Sequence, residues 1–286
     1  MPVVITGASG LVGPHAVRAL MGTAPEVRAV VRRPEAAPPL RELGAKVAVG
    51  ALSDPDTLAA VMRGAHTVLH LAGGLDLPDA AAYEPANLGT TITALDAARE
   101  AGVRRFVLLS FPGASPESSN PYLRAKGLAE RAVAESGLEF AVIRSNHVLG
   151  PGGRWVSALV RQARSRLVVA PGTQLLAPVF VGDAAAVLAA ADDRERLGSG
   201  TWALDGPERV TADRLTDLVA GRPRRLKVHV GPTTLARLAR VSGRPVSTVT
   251  LDVLAADAVA DAPDAAAEFG VGLTPLGDAI ARSLGA

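Results

Sequence analysis

Short β-branched runs alternate with Ala- and Leu-rich segments of helical period along the first 150 residues, and no other feature narrows the fold as much. "VVIT" leads into "GPHAVRALM", "VRAVV" into "PPLRELG", "KVAVG" into "PDTLAAVMRG" and "TVLHLA" into "NLGTTITALDAAREAG". "RFVLLS", "PYLRAKGLAERAVAESG" and "EFAVIRS" continue the series. Strands joined through helices run parallel, so the pattern predicts an α/β, doubly wound parallel sheet with helices on both faces. After Gly150 the regularity weakens into a loop "GPGGRW", a helix "VSALVRQARS" and a strand-helix segment "APVFVGDAAAVLAAADD". The expected organisation is one large unit over 1–150, with 177–205 returning to it, and a smaller α/β cap region over 151–286.

Composition removes several function classes. Thirty Lys and Arg against 28 Asp and Glu leave a net charge of +2, with the arginines scattered among acids and only 3% aromatic residues. A nucleic-acid surface needs clustered cations and stacking rings, so no nucleic-acid partner is expected. There is no cysteine, which excludes disulfides, thiolate nucleophiles and cysteine-ligated metals. The five histidines form no H-x-x-H or H-E-x-x-H pair, so no metal site is expected. Met1-Pro2 runs straight into apolar Val3 without a basic leader, and no apolar run reaches membrane-spanning length. A cytoplasmic monomer or homodimer without membrane contact, acting on a small-molecule substrate, is the expectation.

"VVITGASGLVG" puts Gly7, Gly10 and Gly13 at the turn between the first strand and the first helix. Such a turn permits a tight reversal at Gly7, close backbone approach to a pyrophosphate at Gly10, and close helix-strand packing at Gly13. The helix N-terminus then offers free amides to an anion, so Gly7, Ser9, Gly10, Leu11, Val12 and Gly13 are the candidate phosphate cradle of a dinucleotide. The second strand should end near Val31, where a carboxylate would accept from an adenosine ribose 2'-hydroxyl and select NAD. Arg32 and Arg33 stand there instead, and guanidinium groups suit a 2'-phosphate, so NADP is favoured, with NAD the alternative. Asp54 reads as an N-cap, with Pro55 in the first turn of the next helix.

Asn120 and Pro121 form a plausible cap and first turn, placing Tyr122 and Lys126 one turn apart on one helix face. Either they are a proton-transfer pair, or they are ordinary surface residues whose polar tips reach water.

These pieces together resemble the short-chain dehydrogenase/reductase superfamily, in its extended or atypical (NmrA-like, epimerase/dehydratase-like) branches. The resemblance covers about the first 200 residues and rests on "TGASGLVG" at 6–13, "HLAG" at 70–73, "NLGT" at 87–90, Tyr122 with Lys126, and "VIRSNHVLGPGG" at 142–153. It implies a Rossmann-type sheet in which Lys126 holds the nicotinamide ribose and favours ionisation of the Tyr122 phenol, which then acts as proton donor or acceptor. Leu71, Ala72 and Gly73 would line the cofactor. Ala51 stands where the family usually carries an adenine-binding Asp, leaving Leu52 to cover the adenine. Asn87 matches a structural asparagine that braces the strand near the lysine, with an ordinary helix cap as its other reading.

Three members of the implied site are less regular. The family carries a Ser or Thr at the end of the fifth strand to polarise the substrate oxygen, and the alignment puts Phe111 there, with Ser110 one residue early. Alternation along a strand would aim Ser110 away from the cofactor unless the following loop reorients it, and Ser115 is a possible substitute. Ser145 occupies a position where many relatives carry proline. Ser145, Asn146 and His147 are placed to meet nicotinamide or substrate. His70, Trp155 and Trp202 read as packing residues, and Tyr83 as a substrate-contact candidate. The implied activity is NADP(H)-dependent carbonyl or alcohol redox chemistry. The alternatives are a nucleotide-sugar epimerase or dehydratase, and a non-catalytic NADP sensor, which Phe111 in the serine slot favours.

Overall fold

The computed structural model describes residues 1–165, 167–170, 172–192, 198–221, 226–243, 246–258 and 261–285. Seven strands form the central sheet: β1 (Val3–Thr6), β2 (Val27–Val31), β3 (Lys46–Val49), β4 (Thr67–His70), β5 (Arg105–Ser110), β6 (Glu139–Ser145) and β7 (Gly200–Leu204). Their spatial order is β7-β6-β5-β4-β1-β2-β3, and every pairing is parallel. Val3 pairs with Val27 on one side and Thr67 on the other, so the order reverses around β1. In such sheets ligands bind beyond the carboxyl ends of the strands at that reversal.

Strand residues alternate between two cores. Val3 and Ile5 of β1 pack with Ala16, Val17 and Leu20 of α1 (Gly13–Leu20), below α2 (Ala37–Glu42). Val4 faces the other way, toward Leu58 and Met62 of α3 (Pro55–Met62), Ala94 of α4 (Thr90–Glu100), and Ala129 and Val133 of α5 (Pro121–Ala134). Period-two side chains buried on both faces require helices on both sides of the sheet, which the alternation of elements supplies. Asp54 caps α3 as expected, accepting from the Asp56 N–H at 3.2 Å and the Thr57 hydroxyl at 2.5 Å.

After β6 the chain forms α6 (Arg154–Arg164) and then α7 (Val181–Ala190), which returns to the first core beside α1. β7 then pairs with β6, Gly200 opposite Ala141. Residues 193–197 of the expected returning segment lie outside the described residues. A third core joins the two parts of the chain. Phe111, Tyr122 and Leu149 pack there with Leu159 of α6, Leu215 of α8 (Ala212–Ala220), and Val249 and Val253, which belong to a later helix, Thr248–Ala255. No helix among the described residues is long and apolar enough to cross a membrane.

Candidate active site

A cleft of ≈ 740 Å³ opens at the carboxyl ends of the strands, where β1 and β4 meet. Its walls come from the loop after β1 (Ser9–Val12), the β4 end (Leu71–Gly73), Ser110 and Phe111 after β5, Tyr122 and Lys126 on α5, and Ser145–His147 after β6.

The first-loop geometry follows from the absence of side chains. Gly7 has φ +71°, and a Cβ there would lie 2.6 Å from the Ala72 nitrogen. A Cβ at Gly13 would lie 2.1 Å from the Ala8 carbonyl oxygen. The loop is therefore pressed against both the β4 end and its own first turn, holding the N-terminus of α1 at the cleft. Gly7 and Gly13 shape the wall from behind, whereas Ser9, Gly10, Leu11 and Val12 face the cleft.

On α5, Asn120 accepts from the Tyr122 N–H at 3.0 Å and the Leu123 N–H at 3.3 Å, fixing the helix start. The next turn carries Lys126, whose Nζ donates to the Leu109 carbonyl at 2.8 Å. Lys126 is buried, and loss of hydration lowers its pKa to about 8, against a smaller upward pull from Glu130. The Tyr122 ring stands edge-on to Phe111 and Tyr83, at centroid distances of 5.9 and 6.2 Å. Its hydroxyl makes no hydrogen bond to any described residue. Burial, with a smaller contribution from Tyr83, pushes its pKa well above the ordinary phenol value. Burial is the main influence on both groups.

Ser110 is corrected. It is the last residue of β5 and donates to Glu130 Oε1 at 2.5 Å, while Glu130 is paired with Arg144 at 2.7 Å. Ser110 borders the cleft, but its hydroxyl is committed to Glu130, and Phe111 takes the position beside Tyr122. Ser115 does not replace it, since its hydroxyl donates to Glu117 at 2.7 Å and it lines no part of the cleft.

Asn87 lies behind the wall. It is buried in a π-helical turn (Pro85–Gly89), accepts from the Gly74 N–H at 3.1 Å and donates to the Gly74 and Tyr83 carbonyls at 3.2 and 2.9 Å. It braces the turn after β4 and neither caps a helix nor meets the cleft. Arg32 and Arg33 are exposed just beyond β2, Arg33 lying 3.7 Å from Glu35. Ala51 is exposed after β3 and Leu52 is half-buried against the second core. None of these four touches the main cleft volume. Tyr83 is fully buried and ties the loop at Leu75 to Ser247, with contacts of 2.9 Å to each, so it is no substrate contact.

His70 is buried, hydrogen-bonded through Nδ1 to the Thr6 hydroxyl at 2.8 Å, and held neutral by burial at a pKa of about 3. Ser145 is buried at the cleft wall and donates to the Asn146 carbonyl at 3.1 Å. His147 lines the cleft, and burial lowers its pKa to about 4. Its ring lies 5.2 Å from Phe111 and 4.7 Å from Trp155. Trp155 was expected only to pack. It is a cleft residue, and the local sequence "GPGGRW" gave no periodic signal to show it. Trp202 does pack, against Phe269 at 5.4 Å.

A family model described as NAD(P)H-binding matches residues 7–169. The chain is 34% identical over 190 residues to ceramide reductase of Caulobacter vibrioides, covering 66% of this chain and 60% of that protein. It is 30% identical over 170 residues to the uncharacterized sugar epimerase YhfK of Bacillus subtilis, covering 55% and 78%. Three of the curated relatives are matched over 44–60% of their own length. The Citrobacter sp. triphenylmethane reductase complexed with NADP(H) has the same fold, with a TM-score of 0.81, 21% identity, and coverage of 99% of this chain and 100% of that one.

Proposed function

The chain belongs to the NAD(P)H-binding family, in the extended or atypical branch of the short-chain dehydrogenases/reductases, and from that premise we propose that it is an NADP(H)-dependent carbonyl reductase with Tyr122 as its proton donor. The residues fit such a cofactor: a cradle that side chains at Gly7 and Gly13 would fill, free amides at the α1 N-terminus, and a buried Lys126 one turn from a phenol. Ser9–Val12 would hold the pyrophosphate, Arg32 and Arg33 a 2'-phosphate, Leu52 the adenine, and Lys126 the nicotinamide ribose. When bound, the cofactor supplies the hydride.

The observation that carries this reading is Tyr122, which lines the cleft with Lys126 one helical turn away and whose hydroxyl has no hydrogen-bond partner among the described residues. A phenol whose pKa is raised keeps its proton near neutrality. It is poorly suited to remove a proton from an alcohol, but it can give one to an alkoxide, a far stronger base. In the reduction we propose, the cofactor would supply hydride to the carbonyl carbon while Tyr122 gives its proton to the oxygen and regains one from solvent. With Phe111 in the serine position, His147 and Ser145 remain as the polar groups near the substrate end. In the domain organisation we favour, 1–150 binds the cofactor and 151–286 forms the substrate side, with 177–205 completing the first unit.

Tyr122→Phe tests the assignment. We expect it to bind NADPH as the parent does and to lose ~10²- to 10⁴-fold in kcat on a carbonyl panel, the usual worth of a positioned proton donor. Saturable NADPH binding with no oxidation of NADPH across the panel would replace the reductase with a cofactor sensor.

A further inference from the structure

A second cavity of ≈ 210 Å³ adjoins the cleft on the C-terminal side, and His147 and Trp155 line both. Leu159, Val169, Leu176, Leu215, Leu235 and Leu251 supply much of its wall, and no lysine or arginine is among its lining residues. A nucleoside diphosphate would need cationic partners, and the described residues of this wall supply none.

Two residues that line this cavity each carry a buried polar atom with no hydrogen-bond partner among the described residues, His147 Nε2 and Gln174 Oε1. Both are acceptors, by the following chain of bonds. Asn146 Nδ2 donates to Asp205 Oδ1 at 3.1 Å and to the Ala258 carbonyl, so the Asn146 oxygen must be the atom facing His147. That oxygen accepts from the His147 N–H at 2.8 Å and lies 3.2 Å from His147 Nδ1. An oxygen can only accept, so the imidazole proton sits on Nδ1 and Nε2 carries a lone pair. Gln174 donates through Nε2 to the Leu254 carbonyl, which leaves its Oε1 as the open acceptor. An unmet buried acceptor is costly, and a ligand donor at these positions would relieve that cost.

Building on the reductase reading above, we propose that the substrate is a largely apolar molecule bearing a hydroxyl or N–H group, its hydrocarbon part seated in this cavity and its donor group meeting His147 or Gln174. The reacting carbonyl then reaches Tyr122 past the His147-Trp155 pair.

Titration of the full chain with straight-chain 1-alkanols from butanol to decanol, read by Trp155 emission, tests this without turnover. Affinity should rise about fourfold per added methylene until the cavity is filled, then level off. The methyl ether of the best alkanol should bind roughly threefold to tenfold more weakly, having no donor. Ala158→Phe and Ala212→Phe, each filling the cavity from its wall, should weaken alkanol binding at least tenfold and leave NADPH binding intact. No saturable signal, affinity independent of chain length, or an ether as tight as its alcohol would overturn the proposal. NADPH titration of the same samples separates the two claims: alkanol binding without NADPH binding sinks the reductase and keeps the cavity, and the converse sinks the cavity alone.

Discussion

At the glycine-loop end of the cleft the wall is backbone, held by contacts that leave no room for a Cβ at Gly7 or Gly13. At the other end the wall is a row of rings, Tyr122, Phe111, His147 and Trp155, each within 5.9 Å of the next, with Tyr83 buried behind Tyr122. The first end comes from a single stretch of seven residues. The second draws on four separate segments. A backbone cradle reads phosphate through amides common to any residue, so it can serve any dinucleotide. A wall of side chains can be reshaped by substitution without disturbing the sheet.

Substitutions at each end test that contrast. The largest effect is expected from Gly13→Val, because its side chain must enter space already held by the Ala8 carbonyl. We expect about 3 kcal/mol of lost stability in thermal unfolding and no measurable NADPH binding. Next comes Lys126→Met. The folded pKa of Lys126 is about 8, against 10.5 unperturbed. Below pH 8 the fold carries the full cost of a desolvated ammonium. Between pH 8 and 10.5 the folded lysine has released its proton while the unfolded one keeps it, so stability rises with pH. The variant should therefore be more stable than the parent by ~2 kcal/mol at pH 7, with the gap closing toward pH 10 in denaturant melts, and should lose reductase activity. The smallest effect is expected from Arg32→Glu combined with Arg33→Glu. Both residues are exposed, so melting should not change, while the ratio of NADPH to NADH affinity should fall about tenfold.

The sheet was legible because burial on both faces forces β-branched runs to alternate with amphipathic helices, and the Asp54 and Asn120 caps were legible because their signals are local. The Tyr122/Lys126 pair was placed correctly by helical spacing alone. Desolvation of both groups depends on Phe111, Tyr83 and the distant Val249 segment packing around them, which spacing does not report. Ser110 was open for the same reason: alternation favoured the wrong face for catalysis, but only the position of Glu130 on α5 showed where the hydroxyl goes. Tyr83 looked like a loop residue near the pocket and proved to be a fully buried tie to Ser247, 164 positions away.

Local chemistry fixed the parallel sheet, the glycine turn after β1 and the helix that carries the phenol, since each depends on residues within a few positions of one another. The apolar cavity beside the cleft, the hydrogen bonding of His147 and the burial of the phenol arise only where distant segments close on one another. Those properties depend on excluded water and on partners more than fifty residues apart, such as Asn146 with Asp205 and Ala258, and a linear pattern carries no record of either.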